Sequence, residues 1–315
     1  MKWRILVSAP YFQPVVEQYR PIFAVHGAEI IVPVVKERLS EAELLTLVGE
    51  IDGVIAGDDR FTRKVLAQAA PRLKVISKWG TGIDSFDHEA CHEFGVVVRN
   101  TLDAFTDPVA DSVMGYVLAF ARQLPWMDRQ MKGGSWEKIP GRALAETTLG
   151  IIGVGRIGKA VARRAAAFGM RLYGNDPVAM PADFLGETGM LMVEKERLLK
   201  EADFVTVNCD LNPTSHHLLG ADEFRRMKHG AVLINLARGA VVDEPALVNA
   251  LRGGLVAGAA LDVFEEEPLP LDSPLRTLDN VLLAPHNSNS SPRAWERVHQ
   301  NTIANLFSVL EGVSL

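Results

Sequence analysis

The chain has 315 residues, 48% hydrophobic and 23% charged, a normal globular mix whose length suggests two domains. A formal net charge of −6 argues against a general nucleic-acid binder, and no run reaches the ~18 apolar residues of a membrane span. Two distant cysteines, Cys91 and Cys209, suggest neither a disulfide framework nor a zinc site, and the short apolar run in MKWRILVSAP is no signal-peptide core, so a reducing, cytoplasmic setting is expected.

Residues 4–8 (RILVS) read as a buried strand and 13–26 as a helix. EIIVPV is a second strand, SEAELLTLV a helix capped by the Ser40-x-x-Glu43 box, and DGVIAG a third strand. FTRKVLAQAA (helix), LKVIS (strand), DHEACHEFG (helix) and VVVRN (strand) keep the alternation going, which implies a parallel sheet covered on both faces. The rhythm breaks over residues 101–148. There, Asp103 to Arg122 reads as one long apolar helix, followed by MKGGSWEKIPGRAL. Such a helix either bridges domains, forms an oligomer contact or sits in a core.

Alternation resumes at TLGIIGVGRIG, with strands in LGIIG, RLYGND, FVTVN, AVLIN, VAGAA and NVLLA, and a closing helix from Pro292 to about Leu310. The expected class is α/β: two doubly wound parallel-sheet domains, a Rossmann domain at 101–288 and a flavodoxin-like domain at 1–100 plus 289–315. No internal repeat or low-complexity tract interrupts them.

Gly153-Val154-Gly155-Arg156-Ile157-Gly158 is a GxGxxG that follows an apolar strand and opens the helix KAVARRAAAFG. That context gives the motif its meaning. Gly153 permits the tight turn, Gly155 lets backbone approach a pyrophosphate, and Gly158 lets helix pack on strand. The helix N-terminus favours the phosphates, and Arg156 can add a charge-assisted contact. Asp176 stands 18 residues beyond Gly158 at the end of the next strand. A carboxylate there suits the adenosine ribose hydroxyls and repels a 2′-phosphate, which favours NAD over NADP.

Three later segments, INLARGAVVDEPAL, ALDVFEEEPLP and LLAPHNSNSS, each place polar groups just after an apolar strand. In an open parallel sheet, those strand ends line the ligand crevice, so Arg238, Asp262, Glu267 and His286 are expected to face one cleft. Upstream, Lys78-Trp79-Gly80-Thr81-Gly82 follows a strand, and glycines flanking Thr81 allow N–H groups to converge on an anion. His216, His217 and His229 read as surface residues, and no spacing resembles a metal site.

With SKWGTGID, GVGRIG, NLARGAVVDEPAL, LDVFEEEP and APH, the chain resembles the D-2-hydroxyacid dehydrogenase family. That family includes phosphoglycerate dehydrogenase, glyoxylate/hydroxypyruvate reductase and D-lactate dehydrogenase. The resemblance implies an NAD-dependent interconversion of a small D-2-hydroxy acid and its 2-keto acid. Arg238 would bind the substrate carboxylate and polarise the carbonyl, and His286 would be the acid in reduction and the base in oxidation. Glu267, the Glu before Pro268, would orient the imidazole and raise its pKa. Asp262 would sit by the nicotinamide. Asp210, Leu236, Ala237, Arg238, His286 and Asn289 would join Gly153, Gly155, Arg156, Ile157, Gly158 and Asp176 around the cofactor. The Gly80, Thr81 and Gly82 turn would take the substrate carboxylate from the face opposite Arg238.

Many relatives carry Arg where Lys78 stands, and His-x-Pro-Leu where this chain has Asn208-Cys209-Asp210-Leu211. Asn287-Ser288-Asn289-Ser290 replaces a usual run of Gly and Ala. The resemblance also implies a homodimer through residues 103–148, and the length leaves no room for the regulatory domain of some phosphoglycerate dehydrogenases. The alternative is an NAD(H)-sensing binding protein of the corepressor type, disfavoured by the lack of a long tail. Formate dehydrogenase, a relative that pairs its histidine with Gln, is disfavoured by Glu267.

Overall fold

Strands four or five residues long, rich in Val, Ile, Leu and Ala with an occasional Gly, Thr, Phe or Asn, form the centre of the sheets and are buried at every position, as parallel strands covered on both faces must be. The computed structural model describes residues 2–313. The chain divides into two units, Met1–Phe105 with Ser291–Leu315, and Thr106–Ser290.

In the first unit, β1 (Trp3–Val7), α1 (Val16–Val25), β2 (Ala28–Ile31), α2 (Glu41–Leu47), β3 (Gly53–Ala56), α3 (Arg63–Ala69), β4 (Val75–Lys78), α4 (His88–Glu93) and β5 (Val97–Arg99) follow in turn. The five strands pair in parallel in the order β2-β1-β3-β4-β5, the flavodoxin-like order. The Ser40 box forms as its spacing predicts: the Glu43 N–H donates to Ser40 Oγ at 3.3 Å, and the Ser40 N–H donates to Glu43 Oε2 at 2.8 Å.

The second unit opens with α5 (Thr106–Ala121) and α6 (Leu124–Lys132). The helix expected from Asp103 begins three residues later because Asp103 itself is left-handed, with φ of 62°. Gln123, at φ 56°, then turns the chain into α6, a helix that the sequence reading did not predict. Next come β6 (Thr148–Ile152), α7 (Arg156–Ala167), β7 (Arg171–Asn175), α8 (Ala182–Thr188), β8 (Leu191–Met192), α9 (Lys195–Glu201), β9 (Phe204–Val207), α10 (Ala221–Arg226), β10 (Val232–Asn235), α11 (Glu244–Arg252), β11 (Gly258–Leu261) and β12 (Val281–Leu283). The two-residue β8 was also unforeseen. The strands pair in parallel in the order β12-β11-β10-β9-β6-β7-β8. Counted from β6, that order reverses between β6 and β9, the Rossmann switch point. Helix α5 is tied to α7 by Arg164, which donates to Asp111 at 2.6 Å and to Asp107 at 2.9 Å.

The last helix, α12 (Pro292–Glu311), belongs to the first unit, where it lies against β3, β4 and β5. Ser77 Oγ donates to the Thr302 carbonyl at 2.8 Å, and Asn305 Nδ2 to the Asn100 carbonyl at 3.1 Å. A Cβ on Gly53 would come within 2.7 Å of Leu306 Cδ1, so α12 packs closely on β3 there and a side chain would make Leu306 shift. Both cysteines are free thiols, and burial pushes each up to about 11. Among the described residues no helix is long and apolar enough to cross a membrane.

Candidate active site

The glycine turn is built as the motif requires. Strand β6 is wholly buried and delivers Gly153 at φ 84°, a backbone that side chains disfavour. A Cβ at Gly153 would lie 2.6 Å from the Cys209 nitrogen, so the loop after β9 closes directly on the turn. A Cβ at Gly158 would fall on the Gly153 carbonyl, which fixes how closely α7 approaches. Gly155 has nothing within 4 Å of its Cβ position. It caps α7 without a side-chain cap, and the turn is open at this point. A pyrophosphate fits there: open space and the positive end of a twelve-residue helix coincide. Arg156 is exposed at the same helix start and Ile157 is half-buried behind it.

Asp176 follows β7 and is held by two amides. The Val154 N–H donates to its Oδ2 at 2.7 Å and the Val178 N–H to its Oδ1 at 2.8 Å. The first bond links the carboxylate to the glycine turn itself. Asp210 is exposed next to Cys209, with its carbonyl accepting from Ser215 Oγ at 2.6 Å.

Adjacent strands β10, β11 and β12 deliver the remaining groups of this unit. Beyond β10, buried Asn235 shapes the turn: its Oδ1 accepts the Ala237 N–H at 3.1 Å and its Nδ2 donates to the Arg238 carbonyl at 2.9 Å. Leu236 is buried, while Ala237 and Arg238 are half-buried. Gly239 comes next. Any Cβ on it would sit inside the Phe264 carbonyl and against the Glu265 nitrogen, so the Arg238 turn is pressed onto the Phe264–Glu267 loop. In that loop, Glu267 Oε1 accepts the Phe264 N–H at 2.9 Å and its Oε2 lies 2.9 Å from Nδ1 of His286. Of the acidic run, Glu265 serves a different purpose: its Oε1 accepts the Glu244 N–H that opens α11 and meets His217 Nε2 at 2.9 Å.

Asp262 is 1% exposed, and both of its carboxylate oxygens are occupied. The Asn287 N–H donates to Oδ1 at 2.7 Å and the Ser288 N–H to Oδ2 at 2.8 Å, while the His286 N–H donates to the Asp262 carbonyl at 2.8 Å. His286 adopts φ 51°, a left-handed backbone rare for histidine, and Asp262 is what holds the loop in it. Asn289 is half-buried beyond. Sequence reasoning placed Asp262 at the cofactor. It missed this clamp, together with Asn235 and Gly239, because each acts through backbone groups that no motif displays.

In the first unit the turn after β4 is fastened by its carbonyls. The Thr101 N–H donates to the Gly80 carbonyl at 2.9 Å, Asn100 Nδ2 to the Thr81 carbonyl at 2.6 Å, and Thr81 Oγ1 to the Thr101 carbonyl at 3.0 Å. Among the described residues no acceptor takes the Thr81 or Gly82 N–H. Gly80 needs its freedom, with φ of 127°. The Trp79 indole N–H donates to His299 Nδ1 at 2.9 Å.

A family model described as D-isomer specific 2-hydroxyacid dehydrogenase, NAD binding domain, matches residues 114–288. A D-3-phosphoglycerate dehydrogenase of Methanocaldococcus jannaschii is 40% identical over 278 residues, 87% of this chain and 52% of the relative. The chain thus spans about half the length of that relative. A glyoxylate reductase of Korarchaeum cryptofilum is 40% identical over 251 residues, 78% of this chain and 75% of the relative. Among solved structures, a D-lactate dehydrogenase from Aquifex aeolicus complexed with NAD and lactic acid aligns with a TM-score of 0.88 at 28% identity, covering 98% of this chain and 96% of that one.

Proposed function

This chain belongs to the D-isomer specific 2-hydroxyacid dehydrogenase family, and on that premise we propose that it interconverts a small D-2-hydroxy acid and its 2-keto acid. The observation that carries the reading is the 2.9 Å contact between His286 Nδ1 and Glu267 Oε2 at the ends of adjacent strands. When bound, an NAD cofactor would supply the hydride chemistry. Gly153, Gly155, Arg156, Ile157 and Gly158 hold its pyrophosphate in this reading, and Asp176 its adenosine ribose. Asp210, Leu236, Ala237 and Asn289 line its course.

A carboxylate only accepts hydrogen bonds, so Glu267 keeps the Nδ1 proton in place and leaves Nε2 to exchange a proton with substrate. In reduction, Nε2 gives its proton to the carbonyl oxygen as that oxygen becomes the hydroxyl. In oxidation, Nε2 takes the hydroxyl proton. Glu267 cannot swing away, because Phe264 holds its other oxygen. Arg238 binds the substrate carboxylate and draws electron density from the carbonyl. The Thr81 and Gly82 amides of the first unit, with no acceptor among the described residues, are further candidate donors to a substrate anion. We assign the protein to the cytoplasm as a homodimer through residues 103–148.

The relatives above are named as enzymes, which favours turnover over NAD(H) sensing. The test is a panel of glyoxylate, hydroxypyruvate, pyruvate and phosphohydroxypyruvate with NADH and NADPH in parallel, followed by loss of reduced-cofactor absorbance. Turnover of at least one keto acid, faster with NADH, is the expected result. Failure of all of them with both cofactors overturns the reading.

A further inference from the structure

We infer that His217 is a positioning residue for the acid–base pair, tying the loop after β9 to the loop that carries Glu267. The inference rests on the dehydrogenase reading above and concerns the second unit alone. It starts from the sheet order, in which β9, β10 and β11 are neighbours, so the loops that follow them leave from one edge.

The loop after β9, residues 208–220, begins at the glycine turn, where Cys209 closes on Gly153. Its far end is zipped to the segment after Arg238. The His217 N–H donates to the Ala240 carbonyl at 2.8 Å, the Leu219 N–H to the Val241 carbonyl at 3.2 Å, and the Asp243 N–H to the Leu219 carbonyl at 3.0 Å. Within this zipper His217 has φ of 49°, a left-handed backbone uncommon outside glycine. Its ring, stacked on that of His216 at 4.0 Å, reaches the third loop: Nε2 lies 2.9 Å from Glu265 Oε1. A carboxylate only accepts, so Nε2 is the donor.

Glu265 is held by backbone and side chain together. The same Oε1 accepts the Glu244 N–H at 3.0 Å, and the Glu265 N–H donates to Glu244 Oε2 at 3.3 Å. Carboxylates crowd here. Burial, with Glu265 and Glu266 adding to it, pushes the Glu244 carboxyl upward. The His217 N–H is a donor that offsets this crowding from outside α11. The residue before Glu265 is Phe264, whose N–H holds Glu267 Oε1 and whose carbonyl packs against Gly239. The loop is thus pinned at Phe264 by Gly239 and at Glu265 by His217 and Glu244. Releasing the second pin lets the short segment up to Glu267 shift, and the imidazole of His286 with it.

The His217 and Glu265 side chains are 38% and 32% exposed, so the contact adds little stability. Catalysis is more sensitive, since a displacement of an ångström costs about 10²-fold. A shift of a fraction of that distance corresponds to about 3- to 10-fold.

The test compares the native protein with His217→Asn and His217→Gln, using NADH and the keto acid that the native protein reduces fastest. Asparagine accepts a left-handed backbone but is too short to reach Glu265, whereas glutamine restores a donor. We expect kcat of His217→Asn to fall about 3- to 10-fold with both KM values within about twofold, and His217→Gln to recover most of the loss. Adding His217→Asn to Glu265→Ala should cost nothing more, because both remove one contact. An unchanged kcat, a loss that falls on KM, an equal loss in His217→Gln, or losses that multiply in the double variant overturns the inference and leaves the dehydrogenase reading intact. Inertness of the native protein toward every keto acid overturns both. Should His217→Asn not fold, Glu265→Ala decides: the same fall in kcat at unchanged KM supports the inference, and a native kcat overturns it.

Discussion

Oε2 of Glu267 lies 2.9 Å from Nδ1 of His286 while Oε1 of the same carboxylate accepts the Phe264 N–H, so one side chain both locks itself and aims the imidazole. Glu267→Gln keeps the shape and removes the charge. With the amide oxygen on the Phe264 N–H, the amide NH2 faces Nδ1, which can then only accept, so the doubly protonated imidazole loses its acceptor. We expect kcat to fall about 10- to 100-fold, and His286→Ala to cost about 10²- to 10⁴-fold. A Glu267→Gln kcat equal to the native value would separate Glu267 from the proton transfer.

Gly239 is where the Arg238 turn and the Glu267 loop touch backbone to backbone. Gly239→Ala forces them apart, costing about 1–3 kcal/mol of stability and, if the groups shift by an ångström, about 10²-fold in kcat/KM. Gly186→Ala serves as the control: it lies in α8 with nothing within 4 Å of its Cβ position, and gains up to about 1 kcal/mol. Thermal melts and steady-state rates on both variants check the contrast.

Asp176, the proposed ribose acid, is tied to the glycine turn proposed for the pyrophosphate, because the Val154 N–H donates to its Oδ2. Asp176→Asn removes the charge that repels a 2′-phosphate. The NADPH-to-NADH ratio of kcat/KM is expected to rise at least about tenfold, with NADH KM rising as well. An unchanged ratio would mean that another group sets the cofactor preference.

His299 is buried, accepts the Trp79 indole N–H, and has its pKa lowered by burial, with Glu296 opposing, from the ordinary 6.5. The unfolded chain therefore takes up this proton more readily than the folded one. The contribution is complete above pH 6.5 and drains as pH falls through and below it, at no more than about 1.4 kcal/mol per pH unit. Melting temperature should drop between pH 7 and pH 5 in the native protein and drop less in His299→Gln. Equal slopes would place the acid sensitivity elsewhere.

The strand–helix rhythm and the glycine turn were legible because both are local: apolar runs of strand length, and a GxGxxG between strand and helix. The Ser40 box formed for the same reason. Asp103 and Gln123 were not legible, since nothing in their side chains announces a left-handed backbone, and α5 and α6 are delimited by it. At the candidate site the sequence pointed to His286 and Glu267 and the structure places them in contact. It could not show that Asp262 spends both oxygens on the loop behind His286, or that Gly239 exists to let two loops meet. Those relations depend on which strands are neighbours, and adjacency of β10, β11 and β12 is decided by the whole sheet.

Helix α12 supplies Thr302, Asn305 and Leu306 to the sheet of the first unit, although 185 residues of the second unit separate it from Phe105. On the ribosome this sets an order of events. All strands of the second unit are synthesised before the helix that covers Gly53, Ser77 and Trp79. The five-stranded sheet must wait with one face uncovered while its neighbour matures, and that face is where a nascent chain of this protein has most need of a chaperone.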